Sequence, residues 1–473
     1  MSQPAELFER DPVSIVDALV RRGRAAMEDF ADSDQARVDE AVTALAWSLY
    51  KPENAEALAT MAVEDTGLGN AADKVIKNQR KTFGTLRDLM RVKSVGIIEE
   101  RAELGLVKYA KPVGVVGAVT PSTNPAATPV NKAMMALKGR NAIVIAPSPA
   151  GLATTTRAVA LMRAELEKIG APADLVQVLP APVDKASTHA LMEACDLVVV
   201  TGSQSNVRAA YRSGTPAIGV GAGNVPVIID ASADLDAAAA KISASKCFDN
   251  ATSCSSENAV IILDDVYDDA LAALQRAGGY LASAAEKEAV QRTLWVGGTL
   301  NRRVIAKDFG VFAAECGLGD KARGARFCMV EETGIGREHP FSDEKLALVL
   351  TAYRAKDFDE AVEKVRAIMA VKGRGHSVGV HTQDMAHARR LAEELDTARV
   401  LVNMAHTFGN GGGFDSGLNF TLSMGCGTWQ GNSISENLNY RHFLNITHLA
   451  VPISEDRPSE EALFGAYWDK YGK

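Results

Sequence analysis

No stretch of this 473-residue sequence is apolar for the length that a membrane span requires. Its first segment, Met1–Arg10, lacks the basic region followed by an apolar core that marks a secretory signal. Neither membrane insertion nor export is expected. Cysteine is scarce. The six residues, at 195, 247, 254, 316, 328 and 426, form no C-x-x-C pair and no Cys/His spacing that reads as a zinc site. Scattered thiols imply a reducing cytoplasm, and no metal is expected. Basic charge is in deficit too. A net charge of −8 argues against nucleic acid as a partner, though it leaves room for a local basic pocket. There is no internal repeat, no low-complexity linker and no G-x-G-x-x-G fingerprint. What is present, 47% hydrophobic and 23% charged residues, is the make-up of a globular chain able to bury substantial cores. The length allows two large domains or about three smaller ones.

The first ninety residues read as helices. Val38, Val42, Leu45 and Leu49 recur at helical spacing behind a capping Asp34, and Pro52 opens a further helix that Gly67 and Gly69 end. Ser94–Lys111 changes character: Val95, Ile97, Val107 and Tyr109 alternate around a charged middle, Glu99 to Arg101, which predicts a two-stranded arm. A lone hairpin is marginal in water, so the arm needs another part of the assembly to pair with. From Pro112 onward apolar strands (Val113–Val119, Ala142–Ala146, Val176–Leu179, Leu197–Thr201, Ile218–Val220, Val225–Ile229) alternate with alanine-rich helical stretches. That pattern predicts a parallel sheet covered on both faces. A second β/α set follows Asp230, with helix Leu235–Ser245, strand Ala259–Leu263, helix Tyr267–Ala277, strand Ala347–Tyr353 and helix Phe358–Ala370. A glycine-rich loop, Gly409–Gly417, precedes the C-terminal segment.

Several loops carry residue types suited to chemistry. Cys254 sits in the polar turn Asn250-Ala-Thr-Ser-Cys-Ser-Ser-Glu257. Most lone cysteines only pack, but a thiol among small polar residues can reach a substrate, and neighbouring N–H groups can favour its thiolate. Cys247 and Cys426 fit packing roles. Thr120-Pro-Ser-Thr-Asn124-Pro125 ends a strand, where open α/β sheets place ligands. It is either a plain turn or a loop whose Asn124 amide stabilises an oxyanion together with the Cys254 N–H. Thr201-Gly202-Ser203 precedes a helix start, a weak phosphate-binding signal. Ala146-Pro-Ser148-Pro ends another strand on the same edge. Ile218–Asn224 is glycine-dense and has no carboxylate.

Taken in order, these blocks resemble the aldehyde dehydrogenase superfamily, and within it the coenzyme A-acylating branch. The resemblance is carried by 111–125, 136–142, 219–224 and 248–257, then by 344–346, 375–377, 425–429 and 432–437, so it runs over nearly the whole chain. It implies an α/β fold with a Rossmann-type cofactor domain (1–93 and 112–230), an α/β catalytic domain (231–408) and a β-hairpin oligomerisation arm (94–111 with 432–455). The resemblance also implies homodimers or homotetramers. The resemblance implies Cys254 as nucleophile and Asn124 as oxyanion donor. Thr120, Pro121, Ser122, Ser148, Thr201, Gly202, Ser203, Gly219, Gly221 and Glu344 would line the site of NADP or NAD, with Gly202 and Ser203 at the pyrophosphate and Glu344 near the nicotinamide ribose. Ser148 stands where histidine is common, and its smaller size favours a 2′-phosphate, hence NADP.

Hydrolytic members of the family carry a glutamate at the start of the glycine-dense strand. Here Gly219 is read at that place. Without a general base water attacks slowly, since base catalysis is worth roughly 10²–10⁴ in rate, and the thiol of coenzyme A is the expected acyl acceptor. Two acylating branches compete for the substrate, one acting on sulfoacetaldehyde and one on succinate semialdehyde. Thr252 and Ser253 replace the aliphatic pair of the succinate type, and Ala405-His-Thr-Phe-Gly409 replaces its small loop. Hydroxyls there, with Thr123, a His406 cation and Arg441, would suit a short, strongly anionic group, so sulfoacetaldehyde is the expected substrate. A polar turn and a surface histidine remain open for the same residues. A hydrolytic dehydrogenase with an unrecognised base, or a nucleotide-binding scaffold without catalysis, are the other readings.

Overall fold

The computed structural model describes residues 11–473. The Met1–Arg10 segment read above for export signals lies outside the described residues. Four helices open the described residues. Helix α1 (Pro12–Asp29) starts on Pro12, with the Asp11 carboxylate accepting from Ser14 N. Helix α2 (Gln35–Tyr50) starts where Asp34 accepts from Arg37 N at 2.8 Å, and it buries Val38, Val42, Leu45 and Leu49 as the spacing predicts. Helix α3 (Pro52–Thr66) ends at Gly67, whose φ of 66° is the left-handed cap that glycine tolerates. Helix α4 (Ala71–Met90) turns Lys74, Lys77 and Lys81 inward, where all three are buried.

The arm is present as strands β1 (Gly96–Arg101) and β2 (Leu106–Pro112), antiparallel to each other. The turn lies at 102–105, after the charged residues rather than within them, because Gly105 supplies a positive φ of 59° there. Next come β3 (Val115–Val119), α5 (Ala127–Lys138), β4 (Ala142–Ala146), α6 (Leu152–Lys168), β5 (Val176–Val178), α7 (Lys185–Ala194), β6 (Leu197–Val200), α8 (Gln204–Arg212) and β7 (Ala217–Gly219). The five strands form one parallel sheet in the order β5-β4-β3-β6-β7. Valine, isoleucine and alanine fill β3 and β4, which are buried along their whole length, as a sheet covered on both faces demands. Lys132 of α5 is fully buried, yet its ammonium donates to Val119 O and Val199 O and so ties β3 to β6.

The second sheet has seven strands: β8 (Val225–Ile229), β9 (Glu257–Leu263), β10 (Gly279–Leu281), β13 (Phe327–Glu331), β14 (Val349–Ala355), β15 (Val378–His381) and β16 (Val400–Val402). The intervening β11 (Trp295–Val296) and β12 (Thr299–Leu300) make a small separate hairpin. The order is β10-β13-β14-β9-β8-β15-β16, parallel throughout. Helix α9 (Leu235–Cys247) feeds the cysteine turn. One expected boundary needs correction. The second β/α unit begins before Asp230: β8 pairs with β9 and β15, so the chain changes sheets at 220–224. Strand β17 (Leu444–Ala450) returns to pair with β2 and completes a three-stranded arm. Among the described residues no helix is long and apolar enough to cross a membrane, and no cluster of metal-ligating side chains occurs. The α/β architecture and the arm match the sequence expectation.

Candidate active site

The strand ends of both sheets open into one cavity of about 1270 Å³. It brings together residues that the sequence spreads over more than two hundred positions. Thr120 to Asn124 follow β3, Ser148 follows β4, and Thr201 to Ser203 follow β6. Gly221 comes from the link between the sheets, Thr252 to Cys254 from the turn before β9, and Glu344 from the segment before β14.

The cysteine turn is strained. Asp249, Asn250 and Ala251 have φ of 49°, 52° and 58°, left-handed values that cost non-glycine residues roughly 1 kcal/mol or more each. Hydrogen bonds hold them there. The Asp249 carboxylate accepts from Asn70 N at 2.8 Å, Asp249 N donates to Asp73, and the Asn250 amide donates to Asp308. Gly223 lets the turn sit close, because a Cβ at that position would collide with the Cys254 carbonyl. The turn leaves Cys254 half-buried, and among the described residues its N–H has no acceptor. Burial first, then the charges of Glu344 and Cys426, push the thiol up to about 12. The resting group is therefore a thiol, contrary to the expectation that its surroundings already favour the thiolate.

Asn124 faces the same space. Its Oδ1 accepts from the Lys77 ammonium at 2.9 Å, and an ammonium can only donate. That contact fixes the amide so that Nδ2 is the free end, with only a long 3.4 Å contact to Thr123 Oγ1. Lys77 also pairs with the buried Asp249 carboxylate, which takes Lys74 at 3.0 Å as well. The Lys74 ammonium donates to Thr123 O, so both lysines brace the asparagine loop. Asp249 is held below its ordinary range: Lys77 and Lys74 outweigh the burial that would raise it. None of these α4 residues was singled out from sequence. Their signal is Lys74, Lys77 and Lys81 recurring at helical spacing, a pattern that sequence alone assigns to a solvated face.

A dinucleotide fits the other half of the cavity. Thr120 Oγ1 and Ser148 Oγ are buried there without a hydrogen-bond partner. Helix α8 begins at Ser203, which caps it by accepting from Asn206 N, and a Cβ built on Gly202 meets nothing within 4 Å. Open backbone and orphaned hydroxyls at a helix start suit a phosphorylated ligand. Glu344 lies 3.6 Å from the Lys372 ammonium, and burial raises its carboxyl to about 7 against that ion pair.

The aldehyde dehydrogenase family profile matches residues 8–291. A protein of Cupriavidus necator named sulfoacetaldehyde dehydrogenase (acylating) is 53% identical over 460 residues, covering 97% of this chain and 93% of that protein.

The chain belongs to the aldehyde dehydrogenase family.

A Bilophila wadsworthia protein of the same name as the Cupriavidus relative is 44% identical, covering 96% of this chain and 98% of its own. A Clostridium kluyveri succinate-semialdehyde dehydrogenase (acetylating) is 38% identical over 94% of this chain and 98% of its own. The crystal structure of an acetylating aldehyde dehydrogenase from Geobacillus thermoglucosidasius has a TM-score of 0.90 at 35% identity, with 95% of this chain and 98% of that one covered.

Within this aldehyde dehydrogenase four expectations change. His406 is 1% exposed, bonds Ser377 Oγ through Nε2 at 2.8 Å and does not line the cavity. Burial, then Arg399 and His381, lower its pKa to about 3, so it is neutral and not a cation at the substrate. Arg441 is largely exposed, pairs with Glu436 at 2.8 Å and lies off the cavity. Thr252 lines the cavity, but its hydroxyl is engaged by Asp249 at 2.7 Å. Gly219 turns away: its N–H donates to the Tyr211 hydroxyl, and a side chain there would come within 2.5 Å of Val207. Its neighbours Val220, Gly221 and Ala222 line the cavity, so this strand end brings no carboxylate to it.

Proposed function

We propose that this protein is a coenzyme A-acylating aldehyde dehydrogenase that reversibly converts sulfoacetaldehyde, coenzyme A and NADP+ to sulfoacetyl-CoA and NADPH. The observation that carries the reading is the pairing of the Cys254 thiol and the fixed Asn124 donor with a strand end, Gly219 to Gly221, that offers no water-activating carboxylate. The 53% identity to an acylating sulfoacetaldehyde dehydrogenase, against 38% to the succinate-semialdehyde relative, favours the sulfonate substrate.

The chain's own groups account for the steps. Cys254 Sγ passes its proton to solvent water in the cavity and adds to the aldehyde carbon, giving a thiohemiacetal alkoxide. The developing oxyanion takes hydrogen bonds from Asn124 Nδ2 and the free Cys254 N–H. Thr201, Gly202, Ser203 and Glu344 would hold the dinucleotide, which would supply a hydride acceptor and a positive charge that favours the thiolate. Loss of hydride leaves an acyl thioester on Cys254. Val220 gives water no proton acceptor, so the thioester survives until the thiol of coenzyme A attacks the carbonyl and Cys254 departs as a thiolate that regains a proton. Lys185, Arg208 and Arg212 line the outer cavity and suit the extra phosphate of NADP or the phosphates of coenzyme A. The small Ser148 favours NADP over NAD.

The six free cysteines suit a reducing cytoplasm. Among the described residues, the arm of β1, β2 and β17 leaves one edge of β17 unpaired and suits a homodimer or homotetramer. The test is reduction of NADP+ by sulfoacetaldehyde with and without coenzyme A, with the product identified by mass. Rapid NADPH formation in the absence of coenzyme A, with sulfoacetate as product, would replace this reading with a hydrolytic one.

A further inference from the structure

Helix α4 carries five cations: Lys74, Lys77, Arg80, Lys81 and Arg87. Three have carboxylate partners, Lys74 and Lys77 at Asp249 and Arg87 at Asp88. Arg80 and Lys81 line the cavity, and among the described residues no carboxylate oxygen lies within 4.0 Å of either. Lys81 is 9% exposed, and its one hydrogen bond goes to a neutral acceptor, Gly411 O at 2.7 Å. The Arg80 Nε is buried without a partner. Lys81 is buried and Arg80 is half-buried, with the charge of Asp415 acting on it from beyond ion-pair distance, and cations so placed suit an arriving anion.

The surroundings fix these groups without neutralising them. The Arg80 guanidinium lies over the rings of Phe408, Phe414 and Phe420, at 5.6, 5.1 and 5.8 Å from their centroids. Lys81 lies 5.5 Å from the Phe420 centroid. Aromatic faces orient a cation while leaving its N–H groups free. The neighbouring Thr407 also lines the cavity, and its hydroxyl is buried with no partner. Two cations without an ion-pair partner and one hydroxyl without a hydrogen bond therefore face the cavity that holds Cys254.

We infer that Arg80, Lys81 and Thr407 bind the anionic end of the aldehyde and set the preference for a short sulfonated substrate. Three donors match the three oxygens of a sulfonate, and the phenyl rings exclude the water that would otherwise solvate it. The site takes over the role that His406 and Arg441 do not fill. It rests on the function proposed above, and the substrate comparison separates the two.

The experiment measures kcat/KM for sulfoacetaldehyde and for propanal, each with coenzyme A and NADP+, in the full-length enzyme and in Arg80→Gln, Arg80→Lys and Thr407→Val. Charge-assisted hydrogen bonds predict that the sulfoacetaldehyde-to-propanal ratio falls at least tenfold, and as much as about 100-fold, in Arg80→Gln. Arg80→Lys recovers part of the loss. Ethanesulfonate inhibits the unmutated enzyme competitively against the aldehyde, and Arg80→Gln weakens that inhibition by a similar factor. A ratio that drops less than tenfold in Arg80→Gln, or ethanesulfonate inhibition that the substitution leaves unaltered, overturns the assignment. An unmutated enzyme that acylates propanal but not sulfoacetaldehyde overturns the proposed substrate itself.

Discussion

Replacing Lys77 by methionine tests whether a residue remote in sequence controls the oxyanion donor. The substitution removes the 2.9 Å bond to Asn124 Oδ1, the pairing with Asp249 and a 3.3 Å bond to Thr252. Asp249 keeps Lys74 at 3.0 Å and the Thr252 hydroxyl at 2.7 Å, so its charge stays compensated. The stability cost should then be about 1–3 kcal/mol, the value of a lost hydrogen bond to a charged group, rather than the larger penalty of an orphaned buried charge. The catalytic cost has an upper bound. Deleting an oxyanion donor outright lowers kcat by roughly 10²–10³. Lys77→Met leaves the amide in place but free to turn, so a loss of about 10- to 100-fold in kcat is expected, with KM for the aldehyde little changed. Stopped-flow formation of NADPH in a single turnover reads this step directly. The decisive comparison is the double variant. If Lys77 acts by positioning Asn124, then Lys77→Met adds almost nothing to Asn124→Ala, because the donor is already gone. A kcat within twofold of the unmutated enzyme in Lys77→Met, or a full multiplicative loss in the double variant, would refute the reasoning.

Other expectations follow from the same site. The thiol of Cys254, pushed up to about 12, should be alkylated by iodoacetamide at a rate that rises about tenfold per pH unit from pH 7 to 10, with no plateau; an early plateau near neutrality would show a thiolate already formed. Glu344, raised to about 7, is neutral below that pH and ionised above it, so if the carboxylate grips the ribose, KM for NADP+ should fall roughly tenfold between pH 6 and 8. Glu344→Gln should flatten that dependence. Val220→Glu places a carboxylate on the cavity wall and should raise NADPH formation in the absence of coenzyme A, measured alongside free acid release.

The fold was legible because its signals are local. Unbroken apolar strands such as Val115–Val119 and Ala142–Ala146 can only be buried, and Asp34 and Gly67 mark helix ends by their own chemistry. The sheet to which β8 belongs was misread, since strand partners depend on pairing across the chain and not on the strand's own residues. The site was legible where it follows strand ends, and the structure gathers Asn124, Ser148, Gly202 and Cys254 around one cavity. It was illegible where a residue's meaning depends on what covers it. His406, expected as a cation, is buried and neutral, whereas Lys77, Arg80 and Lys81, which no motif marks, line the cavity. Burial decides both cases, and no local pattern reports it.

The central claim is that an acyl group rests on Cys254 until a thiol removes it. Mixing the enzyme with sulfoacetaldehyde and NADP+ alone, followed by intact-protein mass spectrometry, measures this most directly. The account predicts one sulfoacetyl adduct per chain, mapped to Cys254, formed with about one equivalent of NADPH and discharged when coenzyme A is added. Steady NADPH release with no adduct, or an adduct on another residue, would contradict it.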